Sequence, residues 1–178
     1  MLSIFKRASL FALLLCAALL AACSLFAPSK PPPAATAVRP DADMLGAIRA
    51  AGEREKSVID VNPLREPGVG ALQDAARRDQ ASGQYAAAAG KLDQAIRLSP
   101  DSPDLLQDRA EVAILMKDYA TAEKLARQSW SIGPKLGPLC ARNWQTVVEM
   151  RLQAGDASGA ASARQSLLTC HKAGIPRY

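Results

Sequence analysis

Few side chains in this sequence are suited to catalysis. It contains one histidine, His171, and four cysteines, Cys16, Cys23, Cys140 and Cys170. No glycine-rich phosphate loop and no nucleophile motif accompanies them. Carboxylates such as Glu111 and Glu149 stand alone on predicted helical faces, where we expect them to be solvated. The sequence therefore predicts a protein that is not an enzyme and has no cofactor.

The first two cysteines belong to an N-terminal leader. Lys6 and Arg7 precede an apolar run over residues 10–22, which is too short to span a bilayer as a helix. The run ends in Leu-Ala-Ala-Cys at residues 20–23. This ending resembles the bacterial lipobox, so residues 1–22 are predicted to be a signal peptide and Cys23 a lipidated N-terminus. The alternative is an ordinary signal peptide with an incidental cysteine.

The lipobox resemblance also implies a location. Ser24 stands where an aspartate would retain an enterobacterial lipoprotein in the inner membrane. Serine therefore implies an anchor in the inner leaflet of the outer membrane, with the following domain in the periplasm. The acyl chains on Cys23, palmitate among them, would hold the protein far better than a single chain could.

A proline-rich segment follows the predicted anchor. Residues 24–40 contain five prolines, three of them consecutive. Such a segment favours extended polyproline II, which gives about 50 Å of semi-rigid reach at roughly 3.1 Å per residue. We therefore predict a disordered tether that holds the folded domain away from the membrane.

Residues 23–68 as a whole are predicted to be a linker with one short helix. A helix over residues 41–56 would have Met44, Leu45 and Ile48 as its apolar stripe, with Asp41 or Asp43 as its cap. Residues 57–67 are expected to be extended. Packing on the following domain and disorder both stay open for residues 41–67, and residues 57–67 could instead dock to a partner.

Between residues 83 and 134 one pattern occurs twice, thirty-four residues apart. Each copy has a turn, a tyrosine, small residues at fixed spacing and a final proline. The matched pairs are Tyr85 and Tyr119, Ala88 and Ala122, Ala95 and Ser129, Leu98 and Ile132, and Pro100 and Pro134. The period and order resemble the tetratricopeptide repeat, a pair of antiparallel helices. The small residues would lie on the seam between helices, and the proline would end the second helix.

The resemblance extends in both directions. Backwards, a first helix is predicted over residues 69–82, and residues 103–116 supply the first helix of the next repeat, with Ser102 as its cap. Forwards, the pattern returns at residues 155–157 and at Ala160, after a shift that residues 137–140 would absorb as a widened loop. We therefore predict an all-α fold, a short α-solenoid of about three repeats over residues 69–174, at 69–102, 103–136 and 141–174.

Within that fold, the last two cysteines fall at adjoining ends of one helix pair. Cys140 would open the first helix of repeat three and Cys170 would close the second. In an oxidising compartment this placement predicts a disulfide. The alternative is a metal site formed by Cys140, Cys170 and His171, for which no fourth ligand is evident.

The resemblance also implies a partner-binding groove. In this family the first helices line a concave face, and carrying its positions over gives a mixed polar set: Gln73, Arg77, Gln107, Glu111, Arg142, Gln145 and Glu149. Arg77 and Glu111 are expected to point to solvent. Such a set would suit an extended peptide. The alternative is that these residues are merely exposed polar side chains.

The charge balance argues against nucleic acid as a partner. Without Lys6 and Arg7, 20 basic residues stand against 17 acidic ones, and the two signs alternate along the helices.

Anchor, tether and repeats together resemble the outer-membrane lipoproteins that activate class A penicillin-binding proteins, which are peptidoglycan synthases. The alternatives are a pilotin for secretin or type IV pilus assembly, and an adaptor for peptidoglycan hydrolases or outer-membrane assembly.

Overall fold

The computed structural model describes residues 39–56 and 65–172. The predicted signal peptide, Cys23, most of the tether, residues 57–64 and the last residues of repeat three lie outside that part of the chain. The seven helices of the described residues are α1 (Asp41–Arg54), α2 (Pro67–Ala81), α3 (Tyr85–Leu98), α4 (Pro103–Leu115), α5 (Tyr119–Ile132), α6 (Pro138–Gln153) and α7 (Ala157–Leu168). No described residue lies in a strand.

Six of these helices form three antiparallel pairs. Helix α2 packs on α3, α4 on α5, and α6 on α7, and each pair also packs on the next one along the chain. The predicted all-α repeat solenoid is therefore confirmed.

The turn inside each pair has the same geometry in all three repeats. Gly83, Lys117 and Gly155 all have a positive φ, of 78°, 60° and 72°. The next residue in each case donates its N–H to a carbonyl five positions back, at 2.8 to 2.9 Å. Because the divergent third repeat shares this turn, the four-residue shift identifies its second helix correctly.

The small residues lie where the spacing placed them. Ala88, Ala122 and Ala160, one from each repeat, are completely buried, as are Ala95 and Ser129. Tyr85 and Tyr119 are partly buried beside these seams. Small side chains here allow the paired helices to approach closely.

Several local predictions are wrong. Residues 138–140 are not a loop, because the connection spans residues 133–137, ends at Gly137 with a φ of 87°, and Pro138 begins α6. Ser102 does occupy the N-cap position of α4, but its side chain makes no capping hydrogen bond, and neither Asp41 nor Asp43 caps α1. The Oγ atom of Ser102 instead lies 2.6 Å from that of Ser99. Two N-caps were not predicted. Asp118 caps α5 and Asp156 caps α7, and each side chain accepts a hydrogen bond from a backbone N–H.

A disulfide joins Cys140 and Cys170 across the ends of the third pair. The N–H of Gly137 donates to the carbonyl of Cys170 at 2.9 Å, which ties the same two ends together. Ala51 of α1 is buried against this disulfide, with Trp130 and Trp144 packed around it. The two indole rings are in edge contact, with centroids 5.1 Å apart. The bridge therefore lies within a small apolar cluster.

Enlarging a seam residue should lower the free energy of unfolding of the domain. Ala122→Trp places an indole where no space exists, and overpacking of this kind costs roughly 1–3 kcal/mol or more. A melting temperature lower by several degrees is expected from thermal unfolding followed by circular dichroism. Ala87→Trp is the matched control, because Ala87 is exposed on α3. Equal melting temperatures for both variants would contradict the seam.

The disulfide should make stability sensitive to reduction. It closes a loop with a sequence separation of 30 residues, worth roughly 3–4 kcal/mol in the chain-entropy model. Dithiothreitol should lower the melting temperature of the wild type and leave that of Cys140→Ala/Cys170→Ala unchanged. Mass spectrometry of unreduced, periplasmically produced protein should find the two linked peptides. Finding two free thiols there would count decisively against the bridge.

Candidate functional site

Helix α1 covers much of the face formed by the first helices of the repeats. It packs on α6 and, less extensively, on α4. Met44, Leu45 and Ile48 are buried against Ala113, Ile114 and Met150. Of the alternatives for residues 41–56, the structure therefore shows packing on the repeats. Part of the predicted partner groove is filled by the chain itself.

Polar contacts fix α1 along its length. At its start, the hydroxyl of Tyr119 donates to Asp41 at 2.9 Å. Burial and this hydrogen bond both raise the pKa of Tyr119. In the middle, Nε of Arg49 donates to Glu111 at 3.0 Å. Beyond its end, Nδ1 of His171 lies 3.1 Å from Glu55.

A buried charge cluster lies beneath α1. Arg142 of α6 donates from Nε to Glu111 at 3.1 Å and from Nη2 to Asp108 at 3.0 Å. Burial acts to lower the pKa of Arg142, but the attraction of Glu111 and Asp108 outweighs it and raises the pKa. The same carboxylates receive hydrogen bonds from other helices, because Gln73 of α2 donates to Asp108 at 2.8 Å. The cluster thus joins α1, α2, α4 and α6.

The structure places the seven predicted groove residues in two groups. Gln73, Gln107, Glu111 and Glu149 are buried, so the expectation that Glu111 and Glu149 are solvated is wrong. Glu111 is 3% exposed because Arg142 and Arg49 enclose its carboxylate. Arg77 does point to solvent, with its side chain 60% exposed. Gln145 and Arg142 are partly exposed.

The predicted groove residues are bonded to one another and to neighbouring polar side chains of the same chain. Gln107 donates to Thr146 at 2.9 Å and Gln145 to Glu149 at 2.7 Å. Glu149 also pairs with Arg39, just before α1. Most of these polar groups therefore stabilise the stacking of the repeats and the docking of α1. Arg77 retains the greatest exposure among the groove residues that form ion pairs.

An open cleft remains between α1 and α2. Its volume is about 620 Å³. One wall is the outer side of α1, with Gly46 and Arg49, and the other is α2, with Ala76 and Arg77. Tyr85 and Leu115 also line it. This cleft is the part of the predicted groove that α1 leaves accessible.

Gly52 allows the end of α1 to approach α6. A Cβ atom at this position would lie 2.8 Å from Cγ of Arg142 and 3.2 Å from the carbonyl oxygen of Pro138. This role could not be predicted from the sequence. A glycine within a helix indicates only low helix propensity and does not show which residues pack against it. Gly46, six residues earlier, has nothing within 4 Å of such an atom.

The described residues show no centre for metal chemistry. No group of three or more His, Cys, Asp or Glu side chains in the described ranges could hold a metal ion. The two thiols of the alternative metal site are joined in the disulfide. Within the same ranges, none of the helices has the length and apolar character needed to cross a bilayer.

Comparison with known proteins supports the repeat assignment. Residues 80–139 match the tetratricopeptide repeat family. No curated protein matches the sequence. Among solved structures, the chain is similar to the globular C-terminal domain of Pseudomonas aeruginosa LpoP, with 33% sequence identity and a TM-score of 0.56. The similarity covers 59% of this chain and 99% of that one.

Displacing α1 should be possible with one substitution. Gly52→Val adds a branched side chain that the Arg142 and Pro138 contacts cannot admit, so α1 should lift away from α6. Amide hydrogen exchange over residues 41–54 is expected to accelerate. Gly46→Val, in the same helix, meets open space and should leave the exchange near its wild-type rate. Equal exchange in both variants would show that α1 does not approach α6 as described.

Proposed function

We propose that this tetratricopeptide-repeat chain is a periplasmic lipoprotein of the outer membrane that binds and activates a class A penicillin-binding protein. It would act without catalysing a reaction itself. The observation that carries the proposal is the similarity to the LpoP domain, 99% of which has a counterpart here at 33% identity. That similarity supports the resemblance to lipoprotein activators noted in the sequence.

The arrangement of polar groups supports a binding role. The described carboxylates nearest the cleft, Asp108 and Glu111, are held in ion pairs with Arg142. They stabilise the fold and are not presented as an acid and base for a substrate. The domain instead offers a cleft and a stacked set of helices, and repeat domains distribute their affinity over such surfaces.

The N-terminal segment supports an anchored location. Cys23 would carry the lipid, and the proline-rich residues after it would extend about 50 Å as a semi-rigid spacer. An anchor in the outer membrane with such a spacer would bring the domain toward a synthase held in the inner membrane.

Metabolic labelling with a fatty-acid analogue should mark the wild-type chain and leave Cys23→Ser unlabelled.

Activation by a non-catalytic domain requires unequal binding to two states of the synthase. A ligand shifts a conformational equilibrium only by its difference in affinity for the two states. A tenfold preference for the active conformation corresponds to about 1.4 kcal/mol. This difference in binding free energy is small. The interface can therefore belong to the transient class, which buries less than about 1,200 Å².

The decisive measurement is glycan polymerisation by a purified class A penicillin-binding protein. Addition of the full-length chain in detergent should increase the rate severalfold, because the active conformation is stabilised. Cys23→Ser should activate equally in detergent, where no membrane has to be reached. Failure to bind the synthase or to change its rate, together with binding to a secretin subunit, would replace this proposal with the pilotin hypothesis.

A further inference from the structure

The cleft between α1 and α2 has an apolar lining beneath a basic rim. Leu45, Leu92 and Leu115 contribute to its walls together with Tyr85. Arg49 of α1 and Arg77 of α2 lie on opposite walls, and their side chains are 50% and 60% exposed. Such a lining could bury an apolar side chain while the two guanidinium groups stay at the opening.

The acidic groups in the cleft already have partners. Asp108 accepts from Arg142 on one oxygen and from Gln73 and Arg77 on the other. Glu111 accepts from Arg142 and Gln107 on one oxygen and from Arg49 on the other. All four carboxylate oxygens are therefore engaged, and neither group is free to attract a basic ligand.

The basic groups that line the cleft, in contrast, exceed the acidic ones by one. Arg49, Arg77 and Arg142 share Asp108 and Glu111, and Arg77 also pairs with Asp74, which does not line the cleft. Arg49 donates only through Nε among the described contacts. The Nη contacts of Arg77 are both 3.5 Å long, at the limit of a hydrogen bond. Since a guanidinium carries five N–H donors, both side chains have donors available for a further carboxylate.

We infer that this cleft binds an acidic segment of the partner protein. One apolar side chain of the segment occupies the lining, and flanking carboxylates pair with Arg49 and Arg77. The inference rests on the proposed function in that the segment belongs to the activated synthase. A volume of about 620 Å³ accommodates a few side chains and falls within the usual range for binding pockets. A basic segment is disfavoured, because both carboxylates that line the cleft already have their partners.

Gly46 provides a way to close the cleft without disturbing the fold. It lines the cleft from α1, and a Cβ atom added there has nothing within 4 Å. Gly46→Leu should therefore fill the cleft and improve helix propensity. Gly90→Leu is the matched control, because Gly90 also lies inside a helix with open space around it and does not line the cleft.

The probes are two short synthetic peptides labelled with fluorescein. Both carry a central leucine, which is flanked by glutamate and aspartate in one and by lysine in the other. Fluorescence anisotropy with the full-length chain in detergent should show about tenfold tighter binding of the acidic peptide, a difference of about 1.4 kcal/mol. Gly46→Leu should weaken that binding about tenfold, and Gly90→Leu should not change it. Equal binding of the two peptides, or no effect of Gly46→Leu, overturns the inference.

The charge contribution has its own matched pair. Arg49→Gln/Arg77→Gln should weaken binding of the acidic peptide and reduce its dependence on salt. Arg97→Gln/Arg164→Gln removes the same charge from exposed positions on α3 and α7 and should do neither. An equal loss in both double variants would show that only overall charge is sensed, which also overturns the inference.

The same variants separate this inference from the proposed function. If the synthase binds wild type and Gly46→Leu equally, the cleft is not the contact and the proposed function stands. If Gly46→Leu abolishes binding of the acidic peptide but the synthase does not bind, the cleft stands and the proposed partner is wrong.

Discussion

The arrangement of the first helices depends on one guanidinium, that of Arg142, which pairs with two carboxylates beneath α1. Arg142 reaches from α6 to Glu111 and Asp108 on α4, while Gln73 and Arg49 bring in α2 and α1. Removing such charges from water costs several kcal/mol per ion, which only close, fully hydrogen-bonded geometry offsets. A displacement of any of the four helices would leave a buried charge or amide without its partner. The cluster therefore restricts how the three repeats stack.

Helix α1 belongs to the domain for the same reason. Its Arg49 covers the outer oxygen of Glu111, and its apolar stripe buries Ile114 and Met150. The predicted boundary at residue 69 placed this helix in the linker. With α1 docked, the folded unit begins near Arg39, whose side chain pairs with Glu149. The predicted tether is then limited to the proline-rich residues before Arg39.

The sequence predicts well what depends on local spacing. The tyrosines and small residues repeat because each helix pair needs the same side chains where its two helices pack. Their spacing therefore predicted the seams, the turns and the position of the shifted third repeat. The burial of Glu111 was not predictable in this way, because it depends on Arg142, thirty-one residues away, and on a helix outside the repeats. The predicted loop at residues 137–140 is wrong for a different reason. The family register begins the third repeat at residue 141, whereas Pro138 starts the helix one turn earlier.

The position of Arg49 connects the stability of α1 with the proposed binding in the cleft. Its Nε atom holds Glu111, and its side chain is 50% exposed and lines the cleft. A ligand carboxylate can therefore pair with Arg49 without displacing Glu111, and the bound ligand would hold α1 against the repeats. If only the chain with α1 docked binds the ligand, a substitution that undocks α1 weakens the apparent affinity in proportion to the fraction that remains docked. Gly52, which lines no part of this cleft, would then influence affinity through the docking of α1 alone.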